Sequence, residues 1–266
     1  MNHIHINSLR RLAAQQSGLI HCITNPISIN QCANAILAVG CSPMMAEHPA
    51  EVAQITPTAK ALVLNLGNIT DVRMQSMEIS AATAVASGVP VVVDMVGISC
   101  SDLRRKFIYN LIEKYSPQLI KGNYSEINAL YNSAYTSAGV DADTALTTAA
   151  ITAAAQQLAE KYHTMVLASG RVDIVTDGVH TYHISNGVPQ LARITGTGCL
   201  LGALCGAYIS AQQDISAPVT ACAVLGICGQ LARTDKGNGT FFVNLMDALS
   251  TLSDEDVEKY LQLEEV

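Results

Sequence analysis

Val89–Gly97 reads VPVVVDMVG, and this stretch decides the fold class. Three consecutive valines, Val91–Val93, form a β-branched run too short for a helix and well suited to a pleated strand. The run is apolar at every position rather than at alternate ones. Both faces of such a strand are covered, which is the pattern of a parallel sheet flanked by helices. The run ends in Asp94, and a carboxylate there is costly unless it meets solvent, a cation or hydrogen-bond donors. Asp94 therefore reads either as a functional group at a strand end or as an N-cap that shapes the following loop.

The pattern repeats on either side. SGLIHCIT (17–24), ALVLNLG (61–67), QLIKGN (118–123) and TMVLASG (164–170) read as further strands. Between them, helices are expected at 28–40 (ended by Gly40), from Asp71 to Ser87 with Asp71 near its N-cap, and near 101–115, 124–131 and 142–161. RVDIVTDGVHTYHIS (171–185) alternates around Asp177-Gly178, a hairpin signal. From Gly198 the chain reads as helices near 198–212, 216–234 and 241–251, followed by a polar tail. Strand and helix in alternation predict an α/β fold of three layers, with a mainly parallel sheet covered on both faces. Right-handed crossovers put the strand C-terminal ends on one edge, where ligands bind in open α/β sheets.

Composition sets the limits. A chain of 266 residues fits one large domain, here 1–266. Hydrophobic residues make up 49% and charged residues only 14%, which points to a surface partly covered by other subunits. The net charge of −7 argues against nucleic acid as a partner. It does not argue against ATP, which backbone amides, Mg²⁺ and a few local cations neutralise. The start, MNHIHINSLRRLAAQQ, has no apolar leader segment, and no run reaches the length of a membrane span. The expected location is the cytoplasm, with no membrane partner. The eight cysteines form no CxxC pair and lack zinc spacing; most read as small buried hydrophobes. His3 and His5 read as a solvated N-terminus, and His21 and Cys22 as strand core.

Two further stretches carry chemistry. In RITGTGCLLGALCGA (193–207), the turn Gly196-Thr197-Gly198 opens a small-residue helix with Cys199 at the junction. The turn amides are suited to an anion nest at a helix N-terminus. No GK[ST] follows, so this is not a Walker A loop, and tight helix packing is the competing reading. In KGNYSEI (121–127), Asn123 and Glu126 stand three apart where a strand enters a helix. They can share a site, or they can form a capping box. Taken together, Asp94, Asn123, Glu126 and the late glycine turn map to one sheet edge. Two carboxylates beside an anion nest describe Mg²⁺-assisted phosphoryl transfer.

These segments resemble the hydroxyethylthiazole kinases, of the ribokinase-like superfamily. The likeness runs through HCITNPISINQCANAILAVGCSPMMAE (21–47), LVLNLGNIT (62–70), VVVDMVGIS (91–99), IKGNYSEI (120–127), ASGRVDIVTDG (168–178), ITGTGCLLGA (194–203) and GNGTFFVNLMDAL (237–249). The resemblance implies ATP-dependent phosphorylation of the hydroxyethyl group of 4-methyl-5-(2-hydroxyethyl)thiazole in thiamine salvage. It implies Mg²⁺, a homotrimer with active sites at subunit interfaces, and no separate lid domain. It places Met45, Asn25 and Gly196 against the thiazole, and Asp94 and Glu126 at Mg²⁺ and phosphate. Lys121, Ser169 and Asn123 fall on the nucleotide side. Cys199 stands beside the reacting hydroxyl, either positioning it or taking its proton late, while the amides of Gly196, Thr197 and Gly198 meet the transferred group. Some residues depart from the family pattern. Met95 replaces a proline after Asp94, Lys121 a frequent arginine, Ser169 a frequent threonine, and Ile98-Ser99-Cys100 a small-residue run. Other ribokinase-like enzymes, such as pyrimidine kinases or hydrate dehydratases, are expected to carry aspartate where Cys199 stands. A non-catalytic ligand-binding trimer is the third reading.

Overall fold

The computed structural model describes residues 4–137 and 146–266. The chain opens with α1 (Ile6–Gln16), β1 (Leu19–Ile23), α2 (Ile29–Ala38), β2 (Ser42–Met44) and α3 (Val52–Ile55). Strand–helix alternation follows in β3 (Ala61–Asn65), α4 (Asp71–Ser87), β4 (Val91–Asp94), α5 (Asp102–Tyr115), β5 (Leu119–Asn123) and α6 (Tyr124–Tyr131). Next come α7 (Thr148–Tyr162), β6 (Met165–Ser169), β7 (Asp173–Thr176) and β8 (Thr181–Ile184). The last stretch holds α8 (Thr197–Ile209), α9 (Ser216–Leu231), α10 (Asn238–Thr251), α11 (Asp254–Tyr260) and β9 (Leu263–Glu265).

The described strands form one sheet in the order β2-β1-β3-β4-β5-β6-β7-β8-β9. Pairing is parallel from β2 through β6 and antiparallel from β6 through β9. One core lies between the sheet and α1, α2, α8, α9 and α10, with Cys22, Val63, Val92 and Leu119 facing it. The other lies under α4, α5, α6 and α7, with Ile23, Leu64, Val93 and Ile120 facing it. The two-residue period of these strands sends alternate side chains to opposite cores, so all-apolar runs are required. The expected three-layer architecture is present.

α8 is buried from Leu200 through Ile209 and lies directly on the sheet. Its glycines allow that approach: a Cβ at Gly206 would collide with Val63 and crowd Ile20. Among the described residues, no helix is long and apolar enough to cross a membrane.

Several elements differ from expectation. α1 was not expected: its buried face is only Ile6, Leu9 and Ala13, interrupted by charged residues. β2 is an edge strand of three residues containing Pro43, too short to show a period. The tail is structured: a Ser253–Asp256 capping box starts α11, and β9 pairs with β8. The N-cap of α4 is Thr70, whose hydroxyl accepts from Arg73 N at 3.2 Å, with Asp71 as the first helical residue. α7 begins at Thr148; residues 142–145 of the expected helix, like His3, lie outside the described residues. The Asp177-Gly178 hairpin forms as read, with Asp177 Oδ1 accepting from Val179 N and His180 N.

Candidate active site

Register builds the site. Asn65 pairs with Asp94, Asp94 with Lys121, and Asn123 with Ser169, so four adjacent strand ends present one polar row. Asn65, Asp94 and Lys121 each stand two residues beyond Val63, Val92 and Leu119 and therefore share their face, beneath α8. The first turns of α8 run over this row. A Cβ at Gly198 would lie 3.5 Å from Lys121 Nζ, and one at Gly202 would lie 3.3 Å from Asp94 Oδ2.

The row is fully bonded. Lys121 Nζ donates to Asp94 Oδ1 at 2.9 Å, and both side chains are buried. Asn65 Nδ2 donates to Asp94 Oδ2 at 2.8 Å. Asn25 Nδ2 donates to Asn65 Oδ1 at 3.0 Å and to Cys199 Sγ at 3.2 Å. Polar contacts thus connect the half-buried thiol at the glycine turn to the buried ion pair. Burial raises the Asp94 carboxyl, opposed by the Lys121 ammonium and the Asn65 amide. Burial alone would lower Lys121; the Asp94 carboxylate first, and Glu126 after it, outweigh it and hold the ammonium protonated above the ordinary lysine range.

Glu126 takes up the capping role the sequence allowed. Asn123 Oδ1 accepts from Glu126 N at 2.9 Å, and Glu126 Oε2 accepts from Asn123 N at 2.7 Å. Its other oxygen reaches across to the loop after β4 and accepts from Gly97 N at 2.7 Å. Burial and the nearby Asp94 push its carboxyl up to about 7, against the pull of Lys121 and the two amides. The loop after Asp94 is held by backbone and arginine hydrogen bonds. Met95 N donates to Lys121 O at 2.8 Å, and Arg104 donates to Val96 O at 2.9 Å and Gly67 O at 3.1 Å. Arg105 ties Ile98 O to Ser133 O and Tyr135 O at 3.2, 2.7 and 2.8 Å.

The glycine turn is the start of α8. Gly196 has φ +92°, a left-handed conformation that glycine accepts freely, and Gln31 crowds its Cα. Thr197 Oγ1 donates to Leu191 O at 3.0 Å. The first amides of a helix have no partner within it, so Thr197, Gly198 and Cys199 present N–H groups at the strand ends. A cavity of about 650 Å³ opens beside the turn, lined by Ser169, Asp173, Val188, Leu191, Gly198 and Leu225 among others. Burial pushes Asp173 up to about 6, and its Oδ1 accepts from Gly170 N at 2.9 Å. Met45 stands apart, just past β2 and half-buried. Its segment is pinned by His21, whose Nε2 meets Ala46 O at 2.9 Å, and by Ser76 Oγ, which donates to Glu47 O at 2.7 Å.

The hydroxyethylthiazole kinase family model matches residues 9–255. The chain belongs to the hydroxyethylthiazole kinase family. It is 43% identical over 260 residues to hydroxyethylthiazole kinase 2 of Clostridium botulinum strain Hall, covering 96% of this chain and 98% of that one. The structure of a hydroxyethylthiazole kinase from Pyrococcus horikoshii superposes with a TM-score of 0.91 at 30% identity, covering 98% of each chain. A ribokinase-like superfamily protein from Enterococcus faecalis matches at TM-score 0.65 and 13% identity over 94% of each chain, which shows the fold alone.

In this member of the family the structure brings together Asn25, Asp94, Lys121, Asn123, Glu126, Gly198 and Cys199, with Ser169 at the next strand end. Sequence reasoning missed Asn65 and Asp173. Asn65 is a polar residue ending an apolar strand, the same signal that exposed Asp94. Asp173 was absorbed into the hairpin pattern. Cys205, Cys222 and Cys228 are buried as expected.

Among the described residues, no group of three or more His, Cys, Asp or Glu gathers as a metal cage. The donors present, Asp94 and Glu126, are hard oxygens, each with a protein donor already on it. All four oxygens accept from protein donors, and the lone pairs left on them are hard-oxygen donors of the kind a hydrated divalent cation reaches through its waters.

Proposed function

We propose that this protein transfers the γ-phosphoryl group of ATP to the hydroxyethyl oxygen of 4-methyl-5-(2-hydroxyethyl)thiazole, in thiamine salvage in the cytoplasm. The observation that carries the reading is the bonded row from Cys199 to the Asp94–Lys121 pair beneath the glycine turn. It joins an alcohol-sized acceptor position to a charged phosphate position within one low-dielectric site.

The cavity beside Ser169 takes the nucleotide, and Lys121 and Asn123, on the neighbouring strand β5, serve its phosphate side. The amides of Gly196, Thr197 and Gly198 face the transferred group and stabilise its oxygens. Lys121, held protonated, adds positive charge without the two-pronged geometry of arginine. Asp94 and Glu126 would hold Mg²⁺, which neutralises phosphate charge when bound. Asn25, Met45 and Gly196 form the thiazole side. A loose phosphoryl-transfer transition state asks little of a base, so the first duty of Cys199 is to hold the attacking hydroxyl.

The working unit is a homotrimer of single-domain subunits with active sites between neighbours. Ile27, Leu37 and Val243 are exposed at 66, 56 and 58% around α2 and α10, an apolar surface that a neighbour would cover. Sedimentation should give the mass of three 28.1 kDa chains; a single-chain mass at micromolar concentration removes the trimer. Function is tested with ATP and Mg²⁺. ADP release should require the thiazole alcohol, and release independent of it contradicts the reading.

A further inference from the structure

Asn65 is 2% exposed and ends β3 between the two halves of the site. Its amide orientation is set by its surroundings. Gly67 N–H, which can only donate, meets Oδ1 at 2.8 Å. Nδ2 therefore faces Asp94 Oδ2, at 2.8 Å. The second amide is set the same way. Ser28 N donates to Asn25 Oδ1 at 3.2 Å, so Asn25 Nδ2 faces both Asn65 Oδ1 and Cys199 Sγ. The sulfur is thus an acceptor, and Asn25 Nδ2 donates in both directions, to the sulfur on one side and through Asn65 to the Asp94 carboxylate on the other.

We propose that Asn65 is a positioning residue for phosphoryl transfer: through Asn25 it holds the Cys199 sulfur, and through Asp94 it ties that sulfur to the phosphate side of the site. Only a carboxamide can do this, because the position must accept from Asn25 and Gly67 while donating to a carboxylate. Leucine would leave a buried acceptor and two buried donors short of partners, and aspartate would set a second carboxylate against Asp94. Asn65 itself does not reach the reacting atoms. It keeps the acceptor and donor sides in register, and reacting groups misplaced by about 1 Å lose on the order of 10²-fold in rate.

This inference rests on the proposed kinase reaction, but its test separates the two. Three variants are compared with wild type after thermal melts establish folding: Asn65→Ala, Asn65→Asp and Asn25→Ala. Iodoacetamide modification of Cys199, followed by peptide mapping, needs no substrate. Asn65→Ala and Asn25→Ala should each slow it by roughly threefold or more: Asn25→Ala removes the N–H that meets the sulfur, and Asn65→Ala removes the acceptor that keeps that N–H aimed at it. Asn65→Asp keeps the acceptor for Asn25 but adds a negative charge two hydrogen bonds from the sulfur, so it should not exceed the wild-type modification rate. In turnover, Asn65→Ala and Asn65→Asp should both lower kcat by about 10²-fold, with the KM for the alcohol moving far less. The Asn25→Ala and Asn65→Ala losses should fail to multiply in the double variant. Wild-type turnover absent with the thiazole alcohol sinks the kinase reading and leaves the modification rates to decide this one. A folded Asn65→Ala protein that modifies Cys199 at the wild-type rate overturns the proposal. So does Asn65→Asp with wild-type kcat, or losses that multiply.

Discussion

Cys199 accepts a hydrogen bond from Asn25 at a half-buried position beside the first amides of α8. On the proposed function, its replacement by alanine removes a contact to the acceptor alcohol and leaves the cavity beside Ser169 intact. Cys199→Ala should therefore lower kcat by roughly 10–100-fold while the KM for ATP stays near wild type. An unchanged kcat at saturating alcohol removes the thiol from the mechanism. Glu126 gives a second test, on stability. Its carboxyl rises from the ordinary 4.5 to about 7 on burial beside Asp94, so folding takes up a proton in that window. The associated stabilisation is complete below the unfolded value and is lost as pH rises through the folded one. In nucleotide- and metal-free protein, the melting temperature of Glu126→Gln relative to wild type should rise between about pH 5 and pH 8. The offset from losing one acceptor for an amide is constant across that range. A flat or falling difference contradicts the assignment. Asp94 and Glu126 each had a bland reading in the sequence, and Glu126 does close its capping box; what singled them out was that both fall at one sheet edge beside the glycine turn. Asn65 carried the same signal, a polar residue ending an apolar strand, but an uncharged amide there is less costly than a carboxylate, and its pairing with Asp94 shows only in the register.

At the scale of elements, α8 places the turn by lying flat on the sheet. Gly206 sits against Val63 and Ile20, and Gly202 against Asp94, so the helix axis can come no closer and allows no side chain between. Gly206→Ala should destabilise the fold by about 1–3 kcal/mol by overpacking, despite the better helix propensity of alanine. A chemical-denaturation midpoint at or above wild type would show that α8 has room to move. The β4, β5 and β6 runs and the Asp177 hairpin were legible because length, β-branching and turn residues agreed. α1, β2 and β9 were not, because each is stabilised mainly by what it packs against. α1 offers three buried side chains, β2 three residues at an edge, and β9 a polar LEE strand completed by pairing with β8.

At the scale of the whole molecule, parallel strands collect their ends along one edge, and α8 crosses above that edge. The same arrangement supports many small-molecule kinases, so the fold sets where the chemistry happens and not on what. The proposed function assigns selection of substrate to Cys199 at the helix start, with Asn25 and the braced Met45 segment on the acceptor side. The decisive measurement is a competition of alcohols under ATP and Mg²⁺: the hydroxyethylthiazole, hydroxymethylpyrimidine and pyridoxal, with the phosphorylated products separated by mass. The account predicts that kcat/KM for the thiazole alcohol exceeds the others by about 10²-fold or more. Equal or greater phosphorylation of the pyrimidine or of pyridoxal would contradict it.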